Sequence, residues 1–393
     1  MADFDTTTAG EAGVIPPPSG FDAPRRRRRW PLFAVAFIVL ITAAYVFLGR
    51  WNVNYYAITP GDATPVAPFI EVPASLDHRL TGQILLTDVY VQQLTALTYL
   101  QERYFSSVSQ VISTDDLLGP STPQDQFVDQ GYLQMSQAQS AATAAALTHL
   151  GYTVGAQNAG ALIYGIAPGS AADKVLHVAQ VITGVNFTKT PTACSLIAAL
   201  HGMTPGTTAH LQVEQSTINQ IGTFVPGATV EKAIVLGAPP KGLREYGCGA
   251  VTTPTVYVGI EPQTQLNWSF PVKVQVHTAN IGGPSAGLSM TLGIIDKLSG
   301  GHLTGNHIVA ATGTIDPQGD VGDVGGVAEK TIAVERAGAT VFFVPPQEYK
   351  AAESKATAQL HVYAVSSLDQ ALRILKRLGG TVPTSHLSAQ AAP

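Results

Sequence analysis

The sequence predicts an α/β (α+β) domain at its C-terminal end, a smaller mixed domain before it and one N-terminal transmembrane helix. Three observations predict this. Twenty residues from Trp30 to Gly49 carry no charge. Between residues 149 and 216 a strand, a Pro168-Gly169-Ser170 turn, an extended segment and a short helix follow one another. From Thr255 to Leu378 strand-like and helix-like segments alternate. The 393 residues are 45% hydrophobic and 12% charged, which leaves room for two or three domains and excludes collagen, coiled coil and acidic disordered polymer.

Residues 1–29 read as a disordered cytoplasmic tail, rich in Thr, Gly and Pro and ending in Arg25 to Arg29. Residues 30–50 read as the transmembrane helix, because an uncharged run of this length at about 1.5 Å per residue spans about 30 Å, one bilayer core. Trp30 and Trp51 flank it as interfacial rings. By the positive-inside rule the arginine run keeps the N-terminus cytoplasmic and places the rest outside the plasma membrane. A cleaved secretory signal is the alternative, but the chain around Thr42 to Tyr45 offers only a poor cleavage site. The six arginines up to Arg50 also mask the charge of the remainder, where 16 basic residues face 23 acidic ones, and this argues against a nucleic-acid partner.

Export bears on Cys194 and Cys248, the two cysteines. Paired, they would close a loop of about 54 residues and contribute about 4 kcal/mol in the chain-entropy model; two buried free thiols are the alternative.

In the exported region of residues 51–148, residues 52–75 with Pro60, Pro65, Pro68 and Pro73 read as an extended linker. A strand is expected at Gly82 to Val89, a helix at Gln92 to Tyr104, a loop at Leu118 to Gln126, and an Ala-rich helix at Met135 to Leu150 closed by Gly151. Residues 149–216 then give a strand at Ala161 to Ile166, the Pro-Gly-Ser turn, an extended segment at Val175 to Val185 and a helix at Thr192 to Leu200. That order resembles a bacterial PDZ domain, with Ala179-Gln180 where members commonly carry Gly-Asp. The resemblance implies a groove between Ala161 to Ile166 and Thr192 to Leu200 that takes an extended peptide by strand addition, with Leu150-Gly151-Tyr152 receiving its carboxylate. A small domain used only for packing or spacing is the alternative.

After a connector at 217–254, residues 255–378 predict strands at Val256 to Ile260 and Val272 to Thr278, a helix from Pro284 to Leu298 and a strand at Ile308 to Thr312. A Gly-rich turn at Gly319 to Gly326 leads into a helix to Ala337. A strand at Thr340 to Val344, a helix at Gln347 to Ala358, a strand at His361 to Val365 and a helix at Leu368 to Leu378 complete the domain. Residues 379–393 read as a disordered tail.

The chemistry centres on Gly282-Gly283-Pro284-Ser285-Ala286-Gly287. Pro284 suits a first helical turn and puts Ser285 at the helix N-terminus, where backbone N–H groups favour developing negative charge. Serine alone is a poor nucleophile and needs a base. On the helix after Gly326, Val327, Lys330, Ala333, Val334 and Ala337 share one small apolar arc, Glu329, Glu335 and Arg336 lie opposite, and Ile332 is the exception. Lys330 therefore points inward, where burial lowers its pKa and makes a neutral general base. A surface lysine with its stem across apolar neighbours is the ordinary alternative. Leu288, Met290, Leu292, Ile294, Ile295 and Leu298 surround most of the helix after Ser285 and mark it as central, leaving Ser285, Ser289 and Asp296 on a narrow polar stripe.

Gly283-Pro284-Ser285-Ala286-Gly287, Ala311-Thr312-Gly313, Val324 to Lys330 and Arg336-Ala337-Gly338 resemble, in order, the proteolytic domain of Lon-type serine proteases over about residues 255–378. With the PDZ-like region and the anchor, the whole chain is similar to the membrane-anchored PDZ-Lon proteins of Gram-positive bacteria, the YlbL-like group. The resemblance implies a Ser-Lys dyad of Ser285 and Lys330, a supporting hydroxyl at Thr312, and a loop at Gly283 and Pro284 whose backbone holds the oxyanion. It matches His277 to a histidine on the preceding strand, read here as packing. Protein or peptide substrates and a homo-oligomeric assembly follow from the same resemblance. Thr314 stands where many members have an acidic residue, and Ile281-Gly282 where they have Lys-Asp. No phosphate-binding Gly-rich loop is present, so no ATPase module and no cofactor are expected, and substrates should be flexible segments.

Two other readings compete. Gly283-x-Ser285-x-Gly287 also fits the nucleophile elbow of α/β-hydrolases, with Asp316 or Asp323 and His361 as partners, although Pro284 does not fit a strand running into that turn. An inactive protease fold serving as a PDZ scaffold is the second. Metal hydrolysis is set aside because His302 and His307 lack one-face spacing and no His/Cys cluster occurs.

Overall fold

The computed structural model describes residues 30–119, 121–219, 222–243, 248, 254–278 and 280–383. The tail expected at 1–29, the last residues of the 379–393 tail and part of the 217–254 connector lie outside them. The chain forms two units, one ending at Arg50 and the other Trp51–Pro393. In the first, α1 (Trp30–Leu48) is apolar on every face and buries none of its residues within the protein. It is long and apolar enough to cross a membrane.

The second unit opens with β1 (Asn52–Pro65), β2 (Ile70–Glu71), β3 (Gln83–Thr95), α2 (Ala96–Phe105), β4 (Gln110–Ser113), α3 (Thr114–Leu118) and α4 (Gln124–His149). Residues 52–65 are thus a strand and not the expected linker. β1 pairs antiparallel with both β3 and β4, and its ladder slips at Pro60 to Ala63, beyond the reach of β4. The prolines misled because they occupy a bulge and a strand end, the positions where a missing N–H costs no ladder bond. α2 begins at Ala96, later than expected, because Gln92 to Thr95 continue β3 and Thr95 caps the helix through Thr98. α4 begins at Gln124, about three turns ahead of the expected Met135, and Gly151 follows its end at φ 87°.

The chain next makes β5 (Gly155–Ile166), β6 (Val181–Val185), β7 (Thr188–Lys189), α5 (Ala193–His201), β8 (Thr208–Glu214), β9 (Thr217–Ile218), β10 (Phe224–Val225), β11 (Thr229–Val235) and β12 (Ile260–Ser269). Their main sheet runs β11-β8-β6-β5-β12 and encloses its own core of Ile163, Ile182, Leu196, Leu211, Val213 and Ile234. β11 lies in the expected connector, and the extended segment starts only at Val181, because residues 171–175 turn. The strand expected at Val256 to Ile260 is a single bridge at Tyr257, since Gly259 at φ 91° interrupts it; the strand proper begins at Ile260. The sulfurs of Cys194 and Cys248 are bonded, tying the first turn of α5 to the segment beyond β11.

β13 (Gln275–Val276), α6 (Gly287–Leu298), β14 (Ile308–Ala311), β15 (Thr314–Ile315), β16 (Val321–Gly322), α7 (Val327–Arg336), β17 (Val341–Val344), α8 (Tyr349–Glu353), β18 (His361–Ala364) and α9 (Leu368–Arg377) complete the chain. Only Gln275–Val276 of the expected Val272 to Thr278 strand pairs, with β2. β14, β17 and β18 are parallel and join the first strands in one sheet, β18-β17-β14-β3-β1-β4. Residues before 114 and after 307 therefore build one sheet, and β5 to β12 lie between them in sequence as an insertion. Alternation along β3 puts Ile84 and Leu86 against α4, α6 and α9, and Leu85 on the opposite face with Val327 and Val334 of α7. α6 is central: eleven of its twelve residues are buried, so the sequence reading of an encircled helix matches the packing.

Candidate active site

Ser285 sits in the turn that enters α6, half-buried. The helix starts at Gly287, not at Pro284, because the loop after β14 intervenes: Leu288 N–H donates to Gly313 O (3.1 Å) and Gly313 N–H to Ser285 O (2.9 Å). Pro284 thus lies outside the first helical turn that the sequence suggested, and the Ser285 turn is clamped to β14's end. On its other side Gly283, at φ 85°, donates its N–H to Gly131 O of α4 (2.8 Å). That bond occupies one of the oxyanion donors expected around Gly283 to Ser285, and Pro284 has no N–H.

Lys330 comes from α7, whose placement depends on Gly326. Gly326 caps the helix at φ 68°, and a Cβ there would stand 3.0 Å from Val89 Cγ1 and 3.4 Å from Ile58 Cγ2. Only glycine permits both the left-handed turn and this close approach to β1 and β3. One turn on, Lys330 is 2% exposed and its Nζ donates to Thr312 Oγ1 at 3.2 Å. Thr312 Oγ1 in turn donates to Ser285 O at 3.4 Å. Burial lowers the lysine to about 8 against the pull of Asp88, Glu348 and Glu329, which favour the ammonium. The helical projection holds for Val327, Lys330, Ala333 and Val334; Glu329 is buried with them and Ala337 is exposed.

Ser285 and Lys330 line one cleft of about 570 Å³, with Asp88 and Tyr90 of β3 and Tyr132 of α4. β14 pairs with β3 only as far as Leu86, so among the described residues Thr87 to Val91 have no strand on their cleft side. Asp88 is the residue the sequence reading missed. Its signal was a lone carboxylate inside the apolar run Ile84 to Val91. Burial raises its carboxyl above the ordinary range, opposed chiefly by an N–H from Asp62.

The competing residues lie elsewhere. Asp316 Oδ1 accepts N–H bonds from Gln318 and Asp320 in a turn, His361 is exposed on β18, and neither they nor Asp323 line the cleft. His277 pairs with Glu71 (3.7 Å), also outside it. Among the described residues no group of three or more metal-ligating side chains gathers.

The edge of β5 that the PDZ resemblance offers to a peptide is filled. β12 pairs with it antiparallel from Ile260 opposite Ile166 to Ser269 opposite Gly155, and Ala193 N–H at the start of α5 donates to Thr264 Oγ1 (3.1 Å).

Residues 249–377 match the family model for the Lon protease (S16) C-terminal proteolytic domain. The chain is 33% identical over 142 residues to a Lon protease of Chloroflexus aggregans, covering 35% of this chain and 17% of that one. It is 30% identical over 122 residues to Lon protease 1 of Bacillus subtilis, covering 30% and 16%. The match therefore spans about a sixth of these relatives' length. A PDZ domain of an SdrC-like protein from Listeria monocytogenes aligns at 17% identity and TM-score 0.20, over 26% of this chain and 87% of that one. Its counterpart from Listeria innocua aligns at 18% and 0.20, over 26% and 92%.

Proposed function

We propose that this chain, which carries a Lon-type proteolytic domain, is a membrane-anchored serine endopeptidase that uses a Ser285-Lys330 dyad without an ATPase of its own. One observation carries the reading: an inward lysine, lowered to about 8, is hydrogen-bonded through Thr312 to the backbone of the serine that shares its cleft. Neutral Lys330 takes the proton as Ser285 Oγ attacks the peptide carbonyl. The N–H groups of Ser285 and Ala286, ahead of α6, are the donors left for the oxyanion. Lys330 then gives its proton to the leaving amine, and the acyl-enzyme ester is hydrolysed by a water that Lys330 deprotonates. Substrate enters as an extended segment along the unpaired edge of β3 beside the dyad. An open strand edge and no unfolding module suit flexible chains.

The uncharged α1 and the arginine run before it support a reading with the N-terminus in the cytoplasm and the catalytic unit outside the plasma membrane. The test uses the full chain in detergent, an unstructured protein substrate and no ATP. Ser285→Ala and Lys330→Ala should each abolish cleavage. Hydrolysis retained in Lys330→Ala would replace the dyad with another base, and a wild type that cleaves nothing would leave a protease-fold scaffold.

A further inference from the structure

The dyad has an anionic neighbour that no part of the Ser-Lys chemistry requires. Asp88 lies on β3 two residues beyond its last rung with β14 and lines the same cleft as Ser285 and Lys330. Of the charges acting on Lys330 it is the strongest, ahead of Glu348 from the turn after β17 and Glu329 from α7 itself. Yet among the described residues no carboxylate comes within the 4.0 Å of Lys330 Nζ that an ion pair needs.

The reason lies on β1. Opposite Asp88 the β1–β3 ladder slips between Pro60 and Ala63, so that two residues, Gly61 and Asp62, face one, and Asp62 turns its backbone N–H toward the carboxylate. Asp62 N–H donates to Asp88 Oδ1 at 2.7 Å, and Tyr90 Oη donates to Asp62 Oδ2 at 2.5 Å, which fixes the bulge from its far side. A Cβ on Gly61 would stand 2.0 Å from Asp88 Oδ1 and 2.8 Å from its backbone oxygen. The bulge therefore holds the carboxylate only while residue 61 is glycine.

We propose that Asp88 is a positioning residue for the dyad, an anion that the Gly61-Asp62 bulge holds back from ion-pair contact with Lys330. The proposal rests on the Ser-Lys reading. Held back, Asp88 acts on Lys330 through space and leaves its Nζ turned onto Thr312; in direct contact, it would lock the lysine as an ammonium and remove the base. The other charges facing the pair are Asp62 on Asp88, Glu348 and Glu329 on Lys330, and Asp323 on Glu348. None of these lines the cleft, whereas Asp88 lines it with Lys330.

Two substitutions should then move the pH dependence in opposite directions, which a residue serving only the fold would not do. Asp88→Asn removes the anion, so Lys330 loses its proton more readily and the acidic limb of kcat/KM moves down by about one pH unit. Gly61→Ala pushes the carboxylate off the bulge toward Lys330, and the limb moves up. Asp88→Glu keeps the charge and restores the wild-type limb at least in part. The measurement is the pH profile of the full chain in detergent on dye-labelled casein, with the rate of Ser285 capture by a fluorophosphonate followed in parallel. An Asp88→Asn limb that stays in place or moves up overturns the proposal while the dyad stands. If Asp88→Asn does not fold, Gly61→Ala decides by the same readout, and an unmoved limb overturns the proposal. A wild type inert to both casein and probe overturns the Ser-Lys reading and this proposal with it.

Discussion

β3 and β5 both carry an edge to which an extended peptide could add, and the chain finishes them differently. β3 loses its parallel neighbour after Leu86 and runs on past Ser285 and Lys330 with that side unpaired among the described residues. β5 is paired along its whole length by β12, which also takes an N–H from the start of α5. An unpaired edge leaves backbone donors and acceptors unsatisfied until something binds, whereas a paired one contributes stability and offers no vacancy. Under the proposed function the difference leaves substrate recruitment to the edge beside Ser285, and the inserted domain's edge is taken by the chain's own strand. That strand leads into the segment that carries Ser285, so its pairing with β5 is part of how the Ser285 turn is held.

The comparison breaks most visibly if the open edge is as optimised for stability as the closed one. Lys330→Met tests this, because it keeps the side chain's length and removes the buried cation. Hydrolysis should fall by about 10⁴-fold or more, while stability at pH 7 rises by about 1–3 kcal/mol. The sign follows from the lowered pKa. Between about 8 and the ordinary lysine value of 10.5 the unfolded chain binds more protons at this site than the folded one, so wild-type stability rises with pH across that window. The gain in the variant should be full below pH 8 and shrink above it, and paired thermal melts at two pH values read it. A variant that melts lower at pH 7 would mean the lysine is not held at a cost.

At the closed edge, reduction of Cys194–Cys248 should have the next largest effect. The bond spans 54 residues, and the chain-entropy model puts its contribution at about 4 kcal/mol. Melting under reductant should therefore fall by several degrees. Ser285, Lys330 and the sheet from β18 to β4 lie outside that loop in sequence, so the pH position of the acidic limb should not move. A shifted limb would show that the insert reaches the base itself.

Periodicity found what depends on local burial: the encircled α6 and the inward face of α7 with Lys330. It misread what depends on partners distant in sequence. Residues 52–65 looked like a linker because Pro60 and Pro65 are strand breakers in isolation, and only pairing with β3 makes them a bulge and an end. β12 was invisible because its ten residues alternate weakly and become a strand by lying on β5. Asp88 was passed over for a related reason: the apolar run around it marks the carboxylate, but the lysine that it acts on comes from α7, more than 200 residues away.

Within the open edge, Thr312→Val separates support from chemistry. The hydroxyl links Lys330 Nζ to Ser285 O, so its loss should lower kcat by about 10- to 100-fold through a misplaced base, equivalent to about 1.4–2.7 kcal/mol, with KM little changed. Equal loss in KM would mean that Thr312 contacts substrate.

The smallest effect tests the closed edge directly. Thr264→Val keeps the shape of β12 and removes the acceptor for Ala193 N–H, which lies next to the capping box of Thr192 and Ser195. One such bond is worth about 0.5–1.5 kcal/mol, so the melt should fall by a few degrees at most while casein hydrolysis is unchanged. Ten residues of ladder remain to hold β12 in place, and free peptide C-termini should not bind the insert by anisotropy up to about 1 mM, with or without the substitution. Wild-type binding below that concentration would mean that β12 leaves β5 readily and that the edge serves as a groove after all. Binding that appears only in Thr264→Val would instead mean that one hydrogen bond from α5, rather than the ladder, keeps the groove closed.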